Sequence, residues 1–202
     1  MGSLGVLRYG SMSRAAHRLF TFDEYVLLEE DSRTKHEFLD GQVWAMAGGS
    51  PEHAAVSMNV GTLLTNALRG RPCRVYSSDL RVRVQATGLG TYPDVAVVCG
   101  AVELDPEDPK KQTAVNPRVL VEILSPSTED YDRGEKLGHY KKIPSLAEVL
   151  LVAHDRREVE LVRREEDGSW SREIVREDGV VHLTSIACDL PIREVYYDPL
   201  VS

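Results

Sequence analysis

The sequence predicts a mixed α/β fold, and three observations carry that expectation. Two segments with helical spacing, around residues 50–70 and 129–142, bracket three segments of strand character and are followed by a fourth. The run Val119-Leu120-Val121-Glu122-Ile123-Leu124 is apolar on both faces except at Glu122, as in a central strand of a covered sheet. Asp-Gly pairs at 40–41, 167–168 and 178–179 sit between strand-like runs, where type I′ turns need two residues with positive φ. The order is therefore helix-strand-strand-strand-helix-strand with a mixed sheet. An N-terminal helix and hairpin precede it, and a C-terminal antiparallel β-meander follows.

Each element has a local cause. Thr21-Phe22-Asp23-Glu24 is a capping box that opens a helix to about Asp31. His36 to Leu39 and Gln42 to Met46 form a hairpin around Asp40-Gly41. After Gly48-Gly49, Ser50 as N-cap and Pro51 at the first helical position start a helix whose apolar face is Val56, Val60, Leu63, Leu64, Ala67 and Leu68, ended by Gly70. From Arg74 the period changes to two. Leu80, Val82 and Val84 point one way and Asp79, Arg81 and Arg83 the other, which predicts a half-buried strand with a basic solvent face. Tyr92 to Cys99 is the next strand, Gly100 to Pro117 a mobile acidic loop, and Arg118 to Leu124 the central strand. Ser125-Pro126-Ser127-Thr128 breaks it, a helix runs from about Glu129 to Lys142, and Pro144 stops that helix. Ala147 to Ala153 is again an apolar strand, and Glu158 to Arg164, Trp170 to Arg176 and Val180 to Leu183 make the meander.

Composition narrows the class. The 202 residues suit one domain, expected over residues 21–202, after a loosely ordered leader at 1–20 that carries Arg8, Arg14 and Arg18 but no apolar run of a signal peptide. Met12 is a second possible start. The 42% apolar content rises to about 49% with glycine, inside the globular range, and no stretch is apolar enough for a membrane span. Three widely spaced cysteines, Cys73, Cys99 and Cys188, suit a reducing compartment, so the expected location is the cytoplasm. The formal net charge of −8 argues against passive nucleic-acid coating, which needs Lys and Arg. It leaves room for an enzyme that meets phosphate through bound metal, because a carboxylate cluster lowers net charge and a divalent ion restores it.

The informative residues are acids in strands that should be buried. Glu122 would cost several kcal/mol if unpaired there, on the order given by burying a polar group without a partner. Asp94 follows Tyr92-Pro93 at the mouth of an apolar strand, where proline suggests a bulge that aims the side chain. Either acid alone reads as an ion pair with arginine. Two on sequential strands can instead converge on a hard divalent cation such as Mg²⁺. Lys136, with Tyr140 one turn later on the same helix face, can be carried back towards Glu122, the alternative being a solvated lysine. Asp79 is a weaker metal candidate beside Arg81 and Arg83. Glu37 and His53 read as a surface acid and a first-turn helix residue.

Pro93-Asp94 and Glu122-Ile123-Leu124-Ser125-Pro126-Ser127-Thr128, followed by Asp132, Lys136 and Tyr140, resemble the Uma-type restriction endonuclease family of the PD-(D/E)XK nuclease superfamily. The similarity runs from about Phe22 to Arg164 and includes the Glu37-Phe38-Leu39-Asp40-Gly41 hairpin. It implies a restriction-endonuclease-like core and a Mg²⁺-dependent endonuclease acting on nucleic acid, DNA first, with Mn²⁺ able to substitute. Asp94, Glu122 and Lys136 would be catalytic. Asp94 and Glu122, with Asp79 in a second position, would hold the metal, and Tyr140 and Arg81 would touch substrate. In one respect the chain departs from the superfamily pattern: the lysine expected two residues after the second acid is Leu124, and Lys136 is its substitute. The competing readings are a non-catalytic nucleic-acid-binding or assembly module on the same fold and a two-carboxylate glycoside hydrolase, the latter disfavoured by 6% aromatic content. A homodimer is expected because cutting two strands needs two sites.

Overall fold

The computed structural model describes residues 18–46 and 48–200, so the expected leader lies almost wholly outside the described residues. Helix α1 (Phe22–Asp31) starts at the capping box: the Glu24 amide donates to the Thr21 hydroxyl, and the Thr21 amide donates to the Glu24 carboxylate at 3.0 Å. Its buried Phe22, Tyr25 and Val26 pack on Phe38 of β1 (His36–Leu39). β1 turns through Asp40 and Gly41, at φ 50° and 80°, into β2 (Gln42–Ala45), the primed turn that the dipeptide predicts. Helix α2 (Pro51–Ala67) is capped by Ser50 and buries Val56, Val60 and Leu64.

The segment expected as one strand from Arg74 is two strands in two sheets. β3 (Cys73–Ser77) pairs with β6 (Val95–Cys99), whereas β4 (Arg81–Val84) pairs with β5 (Leu89–Thr91) and lies parallel to β7 (Thr113–Ala114). A turn closed by the Leu80 amide on the Ser77 carbonyl at 3.1 Å separates them. The supposed solvent face of β4 is buried, because Arg81 and Arg83 meet Asp108 and Asp105, each at 3.5 Å. Those two acids also anchor the 100–117 loop, expected to be mobile. Asp108 accepts from the amides of Lys110, Gln112 and Thr113 and is itself fully buried.

β8 (Val119–Leu124) is central and buried at every residue, antiparallel to β6 and parallel to β9 (Glu148–Ala153). The large sheet runs β11 (Trp170–Arg176), β10 (Glu158–Arg164), β9, β8, β6, β3. A second sheet is ordered β2-β1-β5-β4-β7. The helix after β8 is not uniform: α3 (Glu129–Tyr131) passes into a π-helical turn, Asp132–Lys136, and then into α4 (Leu137–Tyr140). The expected meander stops at β11. β12 (Val180–Leu183) pairs instead with β13 (Cys188–Pro191), and the chain continues into α5 (Ile192–Val195). The buried Glu148 side chain holds this unit to the sheet by accepting from the amides of Thr184 and Ser185.

Cys73 and Cys99 stand directly opposite in the β3–β6 register and form a disulfide, while Cys188 is free and buried. This corrects the reading of three separate thiols, since 26 residues of sequence separation hide a pairing that strand register creates. Among the described residues no helix is long and apolar enough to cross a membrane.

Candidate active site

Three elements deliver carboxylates to one cavity: β1 brings Glu37, the entry to β6 brings Asp94, and β8 brings Glu122. The segment after β8 adds Asp132 and Lys136 from its π turn. Such wide turns occur as local insertions in helices, often at functional positions. Here the turn buries both Asp132 and Lys136.

Lys136 is the hub. Its Nζ lies 3.1 Å from Glu37 Oε1, 3.1 Å from Glu122 Oε1 and 3.4 Å from Asp132 Oδ1. Burial works against the ammonium charge, but Glu122, Tyr140, Glu37 and Asp132 around it hold its pKa well above the ordinary lysine value. Glu122 is only 4% exposed. Burial, reinforced by the charges of Asp132 and Asp94, pushes its carboxyl up to about 8 against the opposing pull of Lys136. Burial raises Asp132 as well. Glu122 and Asp132 beside the Lys136 ammonium are thus both shifted towards their protonated forms, burial being the first cause in each.

Asp94 is fixed from two sides. Its Oδ2 accepts from the Ile123 amide at 2.7 Å and lies 3.4 Å from His53 Nε2. The first contact locks Asp94 onto β8 beside Glu122, and the hydrogen bond to Asp94 raises the His53 pKa. Glu37 is clamped by Thr91, whose hydroxyl donates to Oε1, and by Trp44, whose Nε1 donates to Oε2 at 3.2 Å.

The structure thus brings Asp94, Glu122 and Lys136 together. Lys136 reaches Glu122 from the helix, while Leu124 packs into the apolar layer with Leu137 and Tyr140. Tyr140 also comes to the site, but not as a substrate contact. It is 1% exposed, and its hydroxyl donates to Glu122 Oε1, so it positions that acid from behind. Asp79 and Arg81 are not brought to the site. The Asp79 side chain is 85% exposed and pairs with Lys35 at 2.7 Å, beyond the turn that splits the expected strand. Arg81 is buried against Thr113, Tyr92 and Asp108, where its charge is already used.

Glu37 and His53, which read from the sequence as a surface acid and a first-turn helix residue, line the same cavity and contact Lys136 and Asp94. For His53 the Gly48-Gly49 pair is the available signal: a Cβ at Gly49 would stand 2.6 Å from His53 Nδ1, so glycine lets the loop cross the imidazole. For Glu37 no local signal exists, because its partners are Lys136, Thr91 and Trp44, of which only Trp44 is near in sequence.

The shifts have a consequence for stability. An acid with ordinary pKa 4.5 when unfolded and about 8 when folded stabilises the native state below the first value and loses that contribution as pH rises through the second. Asp132 and His53, both raised, act in the same direction. In chelator, the melting temperature is therefore expected to fall between about pH 4.5 and 8. Glu122→Gln should make that slope shallower. Thermal denaturation at several pH values checks both, and an equal slope in the variant removes Glu122 as its source.

The α/β frame with an acid pair on adjacent strands and a lysine supplied beside them is that of a restriction-endonuclease-like protein. Its fold matches the crystal structure of a putative nuclease belonging to DUF820 from Anabaena variabilis, with a TM-score of 0.71 and 20% identity, covering 88% of this chain and 97% of that one. The chain belongs to the Uma2 family, described as putative restriction endonuclease, whose model matches residues 22–190. It is 39% identical over 175 residues to the uncharacterized protein slr1290 of Synechocystis sp., covering 86% of this chain and 90% of that one. A second uncharacterized Synechocystis protein, sll1609, is 31% identical over 156 residues, covering 77% and 87%.

Proposed function

We propose that the chain is a divalent-metal-dependent endonuclease that hydrolyses phosphodiester bonds in DNA, with Mg²⁺ as the working ion and Mn²⁺ as a substitute. The observation that carries this reading is the convergence of Asp94 and Glu122 in one cavity, with the Lys136 ammonium 3.1 Å from Glu122.

The residues fit a hard cation. Their donor atoms are carboxylate oxygens, and Glu37, Asp94, Glu122 and Asp132 together face one lysine and one histidine, an excess of acid that a divalent ion would relieve. Among the described residues no group of three or more His, Cys, Asp or Glu side chains could enclose a metal on its own. In this reading Asp94 and Glu122 would hold it, with water and substrate completing the shell. A bound divalent ion acidifies water and offsets charge on phosphate oxygens.

The remaining work falls to the chain itself. Tyr140 and Lys136 both engage Glu122 Oε1, which fixes the carboxylate and leaves Oε2 outside those contacts. The Ile123 amide and His53 aim Asp94. Lys136 keeps a positive charge at the place where negative charge grows during in-line attack. Water adds to phosphorus as the bond to the 3′ oxygen breaks, leaving a 5′-phosphate and a 3′-hydroxyl. Scission of both strands of a duplex calls for two copies of the site, hence a homodimer.

Calorimetry tests the metal site without any assumption about substrate. Wild type should bind Mn²⁺ and Mg²⁺, and Asp94→Ala and Glu122→Ala should each weaken binding by tenfold or more, on the order found for groups that set a metal's shell. Equal affinity in all three proteins, with or without a DNA duplex, overturns the reading.

A further inference from the structure

The hairpin that delivers Glu37 also delivers an aromatic ring. Strand pairing sets Glu37 opposite Trp44 and Leu39 opposite Gln42, so alternation puts these four side chains on one face and Phe38 and Val43 on the other. Phe38 and Val43 join α1 in its apolar cluster. Trp44 does not: among the described residues it belongs to no buried apolar cluster, although it is the bulkiest side chain of the hairpin. Nor does any aromatic ring or cation among the described residues cover it. Trp170, by contrast, packs on the core and lies beneath Arg164 and Lys141. Trp44 is nonetheless held. Its Nε1 donates to Glu37 Oε2 at 3.2 Å, and Glu37 in turn faces Lys136. A half-buried indole pinned at its edge has little freedom left to lose when something settles on its face.

Trp44 stands at the junction of two hollows. With Tyr131 it lines both the acid cavity and a neighbouring recess, whose remaining walls are Leu39, Asp40, Gln42 and Glu135. The phosphodiester chain is a poor occupant of that recess, because Asp40 and Glu135 repel its anionic oxygens and no lysine or arginine lines it to offset them. A flat, uncharged ring suits it. Leu39 and Trp44 offer apolar surface, and the exposed Gln42 amide can both donate and accept at the edge of a base. Every nucleobase has a π-face that stacks on an aromatic side chain.

We propose that the Trp44 ring stacks on the nucleobase adjoining the scissile phosphate, which makes the recess the base subsite of the metal cavity. This rests on the nuclease reading and adds to it that the substrate is gripped by a base turned out of its stack. An unpaired base is extruded at least cost, so a single strand is the probe of choice.

The chain has two tryptophans, and Trp170→Phe leaves Trp44 as the sole reporter. Mixed in Mg²⁺ with a short single-stranded DNA, this protein should lose indole fluorescence ahead of cleavage, because stacking quenches the ring. An abasic nucleotide on one side of the cleaved linkage should weaken the affinity of wild type about 5- to 150-fold, the size of one base stacked on an aromatic side chain. Trp44→Leu should lose as much with the intact strand and should no longer distinguish it from the abasic one. Trp44→Phe, which keeps a ring but gives up the hydrogen bond to Glu37, should retain most of the discrimination. Unchanged fluorescence, or equal affinity of wild type for intact and abasic strands at both flanking positions, overturns the assignment and leaves the nuclease reading standing. These two readouts need no change at Trp44, so they hold even if leucine unfolds the hairpin. A Phe variant as poor as Leu at telling the strands apart also overturns it, since the indole N–H on Glu37 would then be the working group. If wild type binds metal yet neither binds nor cleaves DNA, the nuclease reading falls and the base subsite falls with it.

Discussion

Glu122→Gln is expected to reduce metal-dependent cleavage by a factor on the order of 10³ while the protein remains folded. Glutamine keeps the shape of the side chain, and its amide oxygen can still accept from Tyr140 and Lys136, the two groups that engage Glu122 Oε1. What disappears is the negative charge, and with it half of the acid pair. The chelated variant should melt no lower than wild type at pH 8, because it no longer has to ionise a carboxyl whose pKa burial lifts to about 8. Loss of activity with retained stability separates a catalytic role from a structural one. Turnover within tenfold of wild type would remove Glu122 from the chemistry.

Lys136→Met should act in the opposite way on stability. Methionine matches the length of the lysine stem, but it leaves Glu37, Glu122 and Asp132 around an uncharged thioether. Breaking a buried ion pair from one side typically costs about 3–5 kcal/mol, a large share of the ~5–15 kcal/mol that holds a domain together. The loss should be greatest near pH 8 and shrink towards pH 5, where the orphaned acids take up protons. Urea titrations at the two pH values measure it. Adding Glu122→Gln to Lys136→Met should restore part of the lost stability, and strict additivity would show that the two side chains do not share the charge. Cleavage should vanish in both proteins.

How far the sequence discloses this molecule depends on whether an element is specified locally. The capping box at Thr21, the Asp40-Gly41 turn and the Ser50-Pro51 helix start are local chemistry, and each stands where the residues place it. Glu122 is legible for a different reason: a carboxylate in an apolar strand has no neighbour to satisfy it, so a distant partner has to exist. Where the partner itself is distant and the residue looks ordinary, sequence reasoning fails. Arg81 and Arg83 resemble a solvent face, yet Asp108 and Asp105 reach them from a loop more than 20 residues away. Alternation continues across the Ser77–Leu80 turn, so periodicity does not reveal that the strand changes sheets. Glu37 suffers the same blindness, since the lysine that buries it lies 99 positions later.

The π turn at Asp132–Lys136 places a constraint of an unusual kind on how this segment can vary. Side chains along a helix are spaced by about 100° of rotation, so gaining or losing one residue before Lys136 would swing the ammonium roughly a quarter-turn off the acid cluster. Gly134, inside the same turn, has open space where a Cβ would stand. The segment is therefore rigid in length and permissive in identity at that point. Insertions and deletions are penalised by misdirecting a charge, whereas many substitutions at Gly134 pass without steric penalty.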